Sequence, residues 1–170
     1  MTTIDINTVP SFYKGYVRTV QNLDVMDALA ITKSEICHRL ETLPVDKLDF
    51  SYAVGKWTIS ELLCHVIDAE RIFTYRALCF SRDDKTNLPA FDENAYVPNS
   101  NARSRSLLSI TKELDNLRQS TMDFFASLSP DMLSRTGVAN NTEISVLTLG
   151  YVIAGHSRHH LNILNERYLR

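Results

Sequence analysis

Breaks are scarce in this chain. Its 170 residues hold five glycines and five prolines, which favours long uninterrupted helices over many short strands. Cysteine is scarcer still. Cys37, Cys64 and Cys79 are odd in number, far apart and form no CxxC pair. A disulfide framework is not expected, and the cytoplasm is the expected compartment. An excess of positive charge is also missing: 18 Lys+Arg against 20 Asp+Glu give a net charge of −2. Nothing neutralises a phosphate backbone, so no nucleic-acid partner is expected. No apolar run approaches the ~20 residues of a membrane span. The opening MTTIDINTVP has neither a charged n-region nor an apolar h-region, so no signal peptide is expected. What remains is an ordinary globular composition, 44% hydrophobic and 22% charged, which argues against disorder. At roughly 150 residues per domain, residues 1–170 read as one domain.

The periodicity predicts four long helices. The first runs from Asn22 to Thr42, with Leu23, Met26, Leu29, Ala30, Ile36 and Leu40 as its apolar positions, and Pro44 beyond its end. A short helix over Ser11–Val20 precedes it. The second opens on Thr58-Ile59-Ser60-Glu61, a capping box in which the Thr hydroxyl and Glu carboxylate each satisfy a free backbone N–H. It continues to Phe80. Ser81–Arg103 breaks the pattern with two prolines, four asparagines and the acidic pairs Asp83-Asp84 and Asp92-Glu93. This stretch is longer than the usual connection of about 2–8 residues and long enough to span a helix. It reads as a crossover between helices that run parallel. The third helix covers Ser104–Leu128. After it come a break with a short helix at Ser129-Pro130-Asp131 and a loop at Gly137–Asn141. The fourth starts near Ser145, a good N-cap, and runs to the C-terminus. The expected fold is an all-α four-helix bundle.

Three of the five histidines face the core. With His156 taken as zero on a helical wheel, His160 falls at about 40°, among Leu149, Val152, Ile153, Ile163 and Leu164. His159 falls at the edge of that face. His65 shares its face with Leu62, Ala69 and Ile72. Buried imidazoles must be satisfied. Bonds to buried polar groups or water would do this, and so would a metal ion. Histidines at i and i+4 can share one ion, and His65 would complete a three-histidine set. Three protein ligands leave a position for water or substrate, the pattern of catalytic zinc. Imidazole also suits nickel, copper or iron.

The segments Gly55–Glu61, His65–Arg71, Gly155–His160 and Glu166–Leu169 resemble the DinB-like superfamily, which includes the YfiT-like metal-dependent hydrolases. The resemblance covers nearly the whole chain, crossover included. It implies an up-down-down-up four-helix bundle with the long crossover between helices two and three. It implies a metal triad at His65, His156 and His160 holding zinc or nickel. It also implies a small-molecule substrate, with low-molecular-weight thiols serving several relatives, and a homodimer.

A site of this kind can activate water, polarise a carbonyl or hold a thiolate. Asp68, one turn after His65, flanks the histidine face. It reads as a fourth ligand, a partner to an imidazole N–H, a general base, or an ion pair with Arg71. The capping role explains Glu61. Arg76 and Arg167 project toward core faces, to close the bundle end or to bind an anionic group. Trp57, Tyr52, Tyr96 and Phe91 read as pocket walls or bundle caps. Cys64 reads as a small buried hydrophobe. Two functions follow: a metal-dependent enzyme of the thiol-transferase or hydrolase type, or a non-catalytic stress or interaction bundle that a metal stabilises.

Overall fold

The computed structural model describes residues 3–170. A short helix α1 (Lys14–Arg18) leads into α2 (Val25–Glu41). Then come α3 (Ile59–Ser81), α4 (Glu93–Tyr96), α5 (Leu107–Ala126) and α6 (Pro130–Ser134). A hairpin of β1 (Thr136–Ala139) and β2 (Thr142–Ser145) precedes α7 (Val146–Ile163). A final π-type turn covers Leu164–Tyr168. Among the described residues, no helix is long and apolar enough to cross a membrane.

Side-chain caps set the helix starts. The capping box at Thr58 is present in both directions: Thr58 N–H donates to Glu61 Oε2 at 2.8 Å and Glu61 N–H to Thr58 Oγ1 at 3.3 Å. Ser145 caps α7 by accepting from Thr148 N–H at 3.1 Å. Asp24 and Ser106 cap α2 and α5. These two helices therefore begin at Val25 and Leu107, each three residues inside the range that periodicity predicts. Each such cap is worth about 1 kcal/mol.

The four long helices form a bundle in which α2 and α3 each pack on both α5 and α7. Their directions follow from which residues meet. Along α3 and α5 the partners advance together, Cys64 with Arg105 just before α5, Arg71 with Glu113, Thr74 with Thr121. These helices are parallel, as the crossover predicts. Along α2 and α5 they run opposite ways, Lys33 meeting Gln119 and Cys37 meeting Asp115. His65 meets His156 while Trp57 meets Tyr168, so α3 and α7 are antiparallel. The bundle is up-down-down-up.

The expected loop at Gly137–Asn141 is instead most of a hairpin. Ala139 pairs with Thr142, and Asn140 and Asn141 turn the chain with φ of 51° and 55°. Asparagine tolerates this left-handed conformation, which two-residue hairpin turns require. Gly137 is needed for another reason: a Cβ there would lie 2.1 Å from the Phe80 ring. The hairpin holds the crossover in place, because Leu88 N–H donates to Val138 O at 2.9 Å and Asn140 N–H to Leu88 O at 3.0 Å.

The apolar core is in two clusters. One gathers around Val17, Leu29, Phe73, Phe80, Leu149 and Val152, the other around Ile36, Leu63, Ile67, Ile110 and Leu164. Around the junction of the two clusters lie the buried polar residues Thr32, His65, Glu70, Arg118, His156 and His160. That polar layer contains the candidate site.

Candidate metal centre

His65 lies two turns into α3, at a height fixed by the capping box. Trp57, just before the cap, lies over its ring with centroids 4.8 Å apart. The Tyr168 hydroxyl, from the turn ending α7, donates to the Trp57 main-chain O at 2.8 Å. His156 and His160 sit one turn apart on α7. Gly155 lets α1 approach: a Cβ there would lie 2.2 Å from the Tyr16 carbonyl oxygen. The Tyr16 ring therefore packs edge-on against His156 at 5.3 Å and His159 at 5.1 Å.

The three imidazoles converge. His156 Nε2 lies 3.1 Å from His65 Nε2 and 3.1 Å from His160 Nε2. One ligand nitrogen from each falls within 4.8 Å of the others. All three are buried, at 7%, 6% and 9% exposure for His65, His156 and His160. Burial, opposed at His65 by the Glu93 carboxylate, pushes that imidazole down to about 4. Burial and the neighbouring imidazoles push His160 down to about 3 and hold His156 well below the usual histidine range. The cluster is neutral at neutral pH.

This donor set fits a divalent ion. A neutral imidazole nitrogen carries one N–H or one lone pair, so His156 Nε2 can fully satisfy only one of its two neighbours. Three neutral imidazole nitrogens are what zinc, nickel or a similar ion requires. Nitrogens bound to one zinc at about 2.0–2.1 Å lie roughly 3.4 Å apart, close to the spacing here. His160 Nδ1 is buried without a hydrogen-bond partner. Its ring is oriented by packing against His65 and His159, at 4.9 and 5.1 Å.

A cavity of about 210 Å³ opens onto the cluster. Phe12, Tyr13, Tyr16, Trp57, Phe73 and Phe91 form its walls, and Arg76, Glu93 and Asn140 supply polar groups. Three of these come from the crossover and hairpin, which roof the site. Glu93, at the start of α4, reads in the sequence only as half of an acidic pair. Its one local signal is Asp92, whose carboxylate caps α4.

Asp68 is not brought to the histidines. It is half-buried beside Arg71 at 3.7 Å, in a strip where Glu113 bridges Arg71 and Arg105. Burial, with Glu113 nearby, raises its pKa despite Arg71. It does not line the cavity. Arg71, Arg105 and Glu113 instead line a separate open groove of about 670 Å³ along α5. Arg76 is buried at the cavity, but Arg167 is exposed. The π-type turn advances the chain by less rotation per residue than an α-helix, which places Tyr168 inward in its stead. Of the expected wall residues, Trp57 and Phe91 line the cavity. Tyr52 packs on Tyr168 at 4.9 Å, and Tyr96 on Phe91 at 5.7 Å. Cys64 is buried, with Arg105 Nη1 3.7 Å from its sulfur.

Among proteins of known name, the chain is 26% identical over 125 residues to "Putative metal-dependent hydrolase OB0413" of Oceanobacillus iheyensis. That match covers 72% of this chain and 70% of the relative. Among solved structures, it superposes on YfiT from Bacillus subtilis, described as a probable metal-dependent hydrolase with an unusual four-helix bundle topology. The TM-score is 0.73 at 18% identity, over 86% of this chain and 85% of YfiT; this match shows the shared fold. The DinB superfamily matches residues 28–164, which takes in the four long helices apart from the first three residues of α2, together with the three converging histidines, and the chain belongs to that superfamily.

Proposed function

We propose that this protein is a metal-dependent enzyme of the hydrolase or thiol-transferase type, with His65, His156 and His160 as ligands to zinc or nickel. The observation that carries this reading is the convergence of three neutral imidazole nitrogens at the floor of a cavity that can hold a substrate. A purely structural ion would be expected in a closed set of four protein ligands. Among the described residues, the only group of three or more candidate ligands so close together is these three histidines. The curated relative's name supports the hydrolase branch.

When bound, a divalent ion supplies a Lewis acid that acidifies water or a thiol and polarises a carbonyl. The chain's own residues do the rest. The depressed pKa values keep the imidazoles uncharged at neutral pH, so that each has one nitrogen lone pair to offer. Trp57, Phe73 and Phe91 exclude bulk water from one side of the cluster, which strengthens electrostatic effects there. Glu93 is the cavity's carboxylate, and we assign it the role of accepting the nucleophile's proton. The substrate is a small molecule, and low-molecular-weight thiols belong among the first screened.

The test is metal content after purification without added metal or a histidine tag. Near-stoichiometric zinc or nickel is expected in the wild type and loss of it in His65→Ala, His156→Ala and His160→Ala. No metal as purified, and no uptake of zinc or nickel on titration, would overturn the proposal. Glu93→Gln is expected to keep the ion while lowering ester hydrolysis or thiol transfer by about 10²-fold or more.

A further inference from the structure

Arg76 is a buried cation without an ion pair among the described residues. It is 3% exposed, and its one hydrogen bond among the described residues runs from Nη2 to the Pro89 carbonyl at 2.8 Å. Arg118, the other buried arginine, is matched to Glu70. Burying a guanidinium without a carboxylate is costly. The rest of its planar fork borders the cavity that the histidines line.

Phe73 links the two groups. The Arg76 guanidinium carbon is 5.9 Å from the Phe73 ring centroid, and the His156 ring is 5.9 Å from the same centroid. One aromatic surface therefore connects the guanidinium to the imidazole cluster. Glu93, the cavity's other charged group, makes no ion pair with Arg76; its field falls on His65 and Tyr16, toward the histidine end. The cavity thus holds a free cation, an apolar middle and a nucleophilic or Lewis-acid end. A cavity of about 150 Å³ accepts benzene, so about 210 Å³ accommodates a ring-sized body bearing a carboxylate.

We propose that Arg76 is the carboxylate-binding residue of this cavity, and that the substrate is a small organic acid whose apolar body separates its carboxylate from the reacting group. The placement of the reacting group rests on the metal-site reading above, whereas the carboxylate subsite stands on Arg76 itself. The guanidinium fork matches a carboxylate in two parallel hydrogen bonds, and the ligand supplies the counter-ion that the fold withholds.

The test uses benzoate and its neutral analogue benzamide, titrated by calorimetry into the full chain, both zinc-loaded and chelator-treated. Trp57, the chain's single tryptophan, reports by its fluorescence whether binding occurs in this cavity. Wild type is expected to prefer benzoate by about tenfold or more in both forms. Arg76→Gln is expected to lose that preference, Arg76→Lys to keep part of it, and neither to change metal content. Arg76→Gln is also expected to melt no lower than wild type, since it removes a buried unpaired charge. Equal binding of the two probes, no binding of either, or a preference that survives Arg76→Gln would overturn the proposal. So would a lower melting temperature in Arg76→Gln that Arg76→Lys restores without any benzoate preference, which would make the residue a tether for the crossover. Should the chain take up no metal, the metal reading falls, while a benzoate preference in the chelator-treated protein still decides the role of Arg76.

Discussion

Arg118 and the three histidines share the polar layer between the two apolar clusters, and their neighbours treat them differently. Arg118 is fully buried, yet its charge is matched. Nε and Nη2 donate to the two oxygens of Glu70, each at 2.8 Å, and Nη1 donates to Leu29 O at 3.1 Å and Thr32 Oγ1 at 2.9 Å. Among the described residues the three histidines bond only to one another, with two nitrogens competing for His156 Nε2 and His160 Nδ1 buried without a partner. The first cluster is closed and needs nothing from outside. The second leaves hydrogen-bonding capacity unmet among the described residues. Burial alone does not separate structural from functional polar groups; the hydrogen-bond ledger does. Arg76, with one hydrogen bond and no ion pair among the described residues, lacks the charge match that Arg118 has.

The comparison is tested first at its closed half. Glu70→Ala leaves a buried guanidinium without its counter-ion and is expected to cost about 3–5 kcal/mol. Thermal denaturation should show a fall on the order of 10 °C, with metal stoichiometry unchanged in the protein that remains folded. Replacing both partners, Glu70→Leu with Arg118→Met, is expected to recover most of the loss. A double variant as unstable as the single one would show that the pair does more than satisfy itself.

The open half should respond to metal and to pH. With the ion at about 1,000 times its dissociation constant, the wild type gains roughly 4 kcal/mol, and His156→Ala gains none. The pH effect has a definite sign. His65 and His160 have folded-state values depressed from 6.5 to about 4 and about 3. Their neutral forms therefore stabilise the fold fully above about pH 6.5. That contribution is lost as pH falls toward the folded values, because the unfolded chain then binds protons that the native cluster refuses. For His65 the full loss is on the order of 3 kcal/mol. Urea denaturation of metal-free protein from pH 7 to pH 4 should show it, and His65→Ala should flatten the slope. A slope equal in wild type and variant would mean that the cluster does not stay neutral on folding.

Much of this was legible in the sequence because it was periodic or local. The Thr58 box, the Ser145 cap, the parallel crossover and the inward turn of His65, His156 and His160 each follow from spacing within one element. What escaped depends on contacts distant in sequence or on turns without a period. Arg118 looks like an interruption of the apolar stripe of α5, since nothing in the spacing connects it to Glu70, 48 positions away. The hairpin strands are four residues each, too short to display alternation, and the Asn140-Asn141 turn was their only signal. Arg167 was placed inward by continuing an ideal wheel through a turn that is not α-helical. Glu93 belongs to the cavity because the hairpin ties down the crossover, a fact of pairing between Leu88 and the Val138–Asn140 backbone.

Asp68 gives the smallest expected effect and the finest test of where the open cluster ends. It lies one turn from His65, within the same helix, yet its carboxylate joins Arg71 on the α3–α5 surface. Partly exposed pairs of this kind are worth about 0–1 kcal/mol. Asp68→Asn preserves the shape and removes the charge, so it is expected to shift stability by less than about 0.5 kcal/mol. Metal content and the pH slope should match wild type. A drop in metal affinity of about tenfold or more would place Asp68 in electrostatic or hydrogen-bonded contact with the ligand set. The boundary between satisfied and unsatisfied groups would then run through α3 between Asp68 and Glu70, instead of between His65 and Asp68.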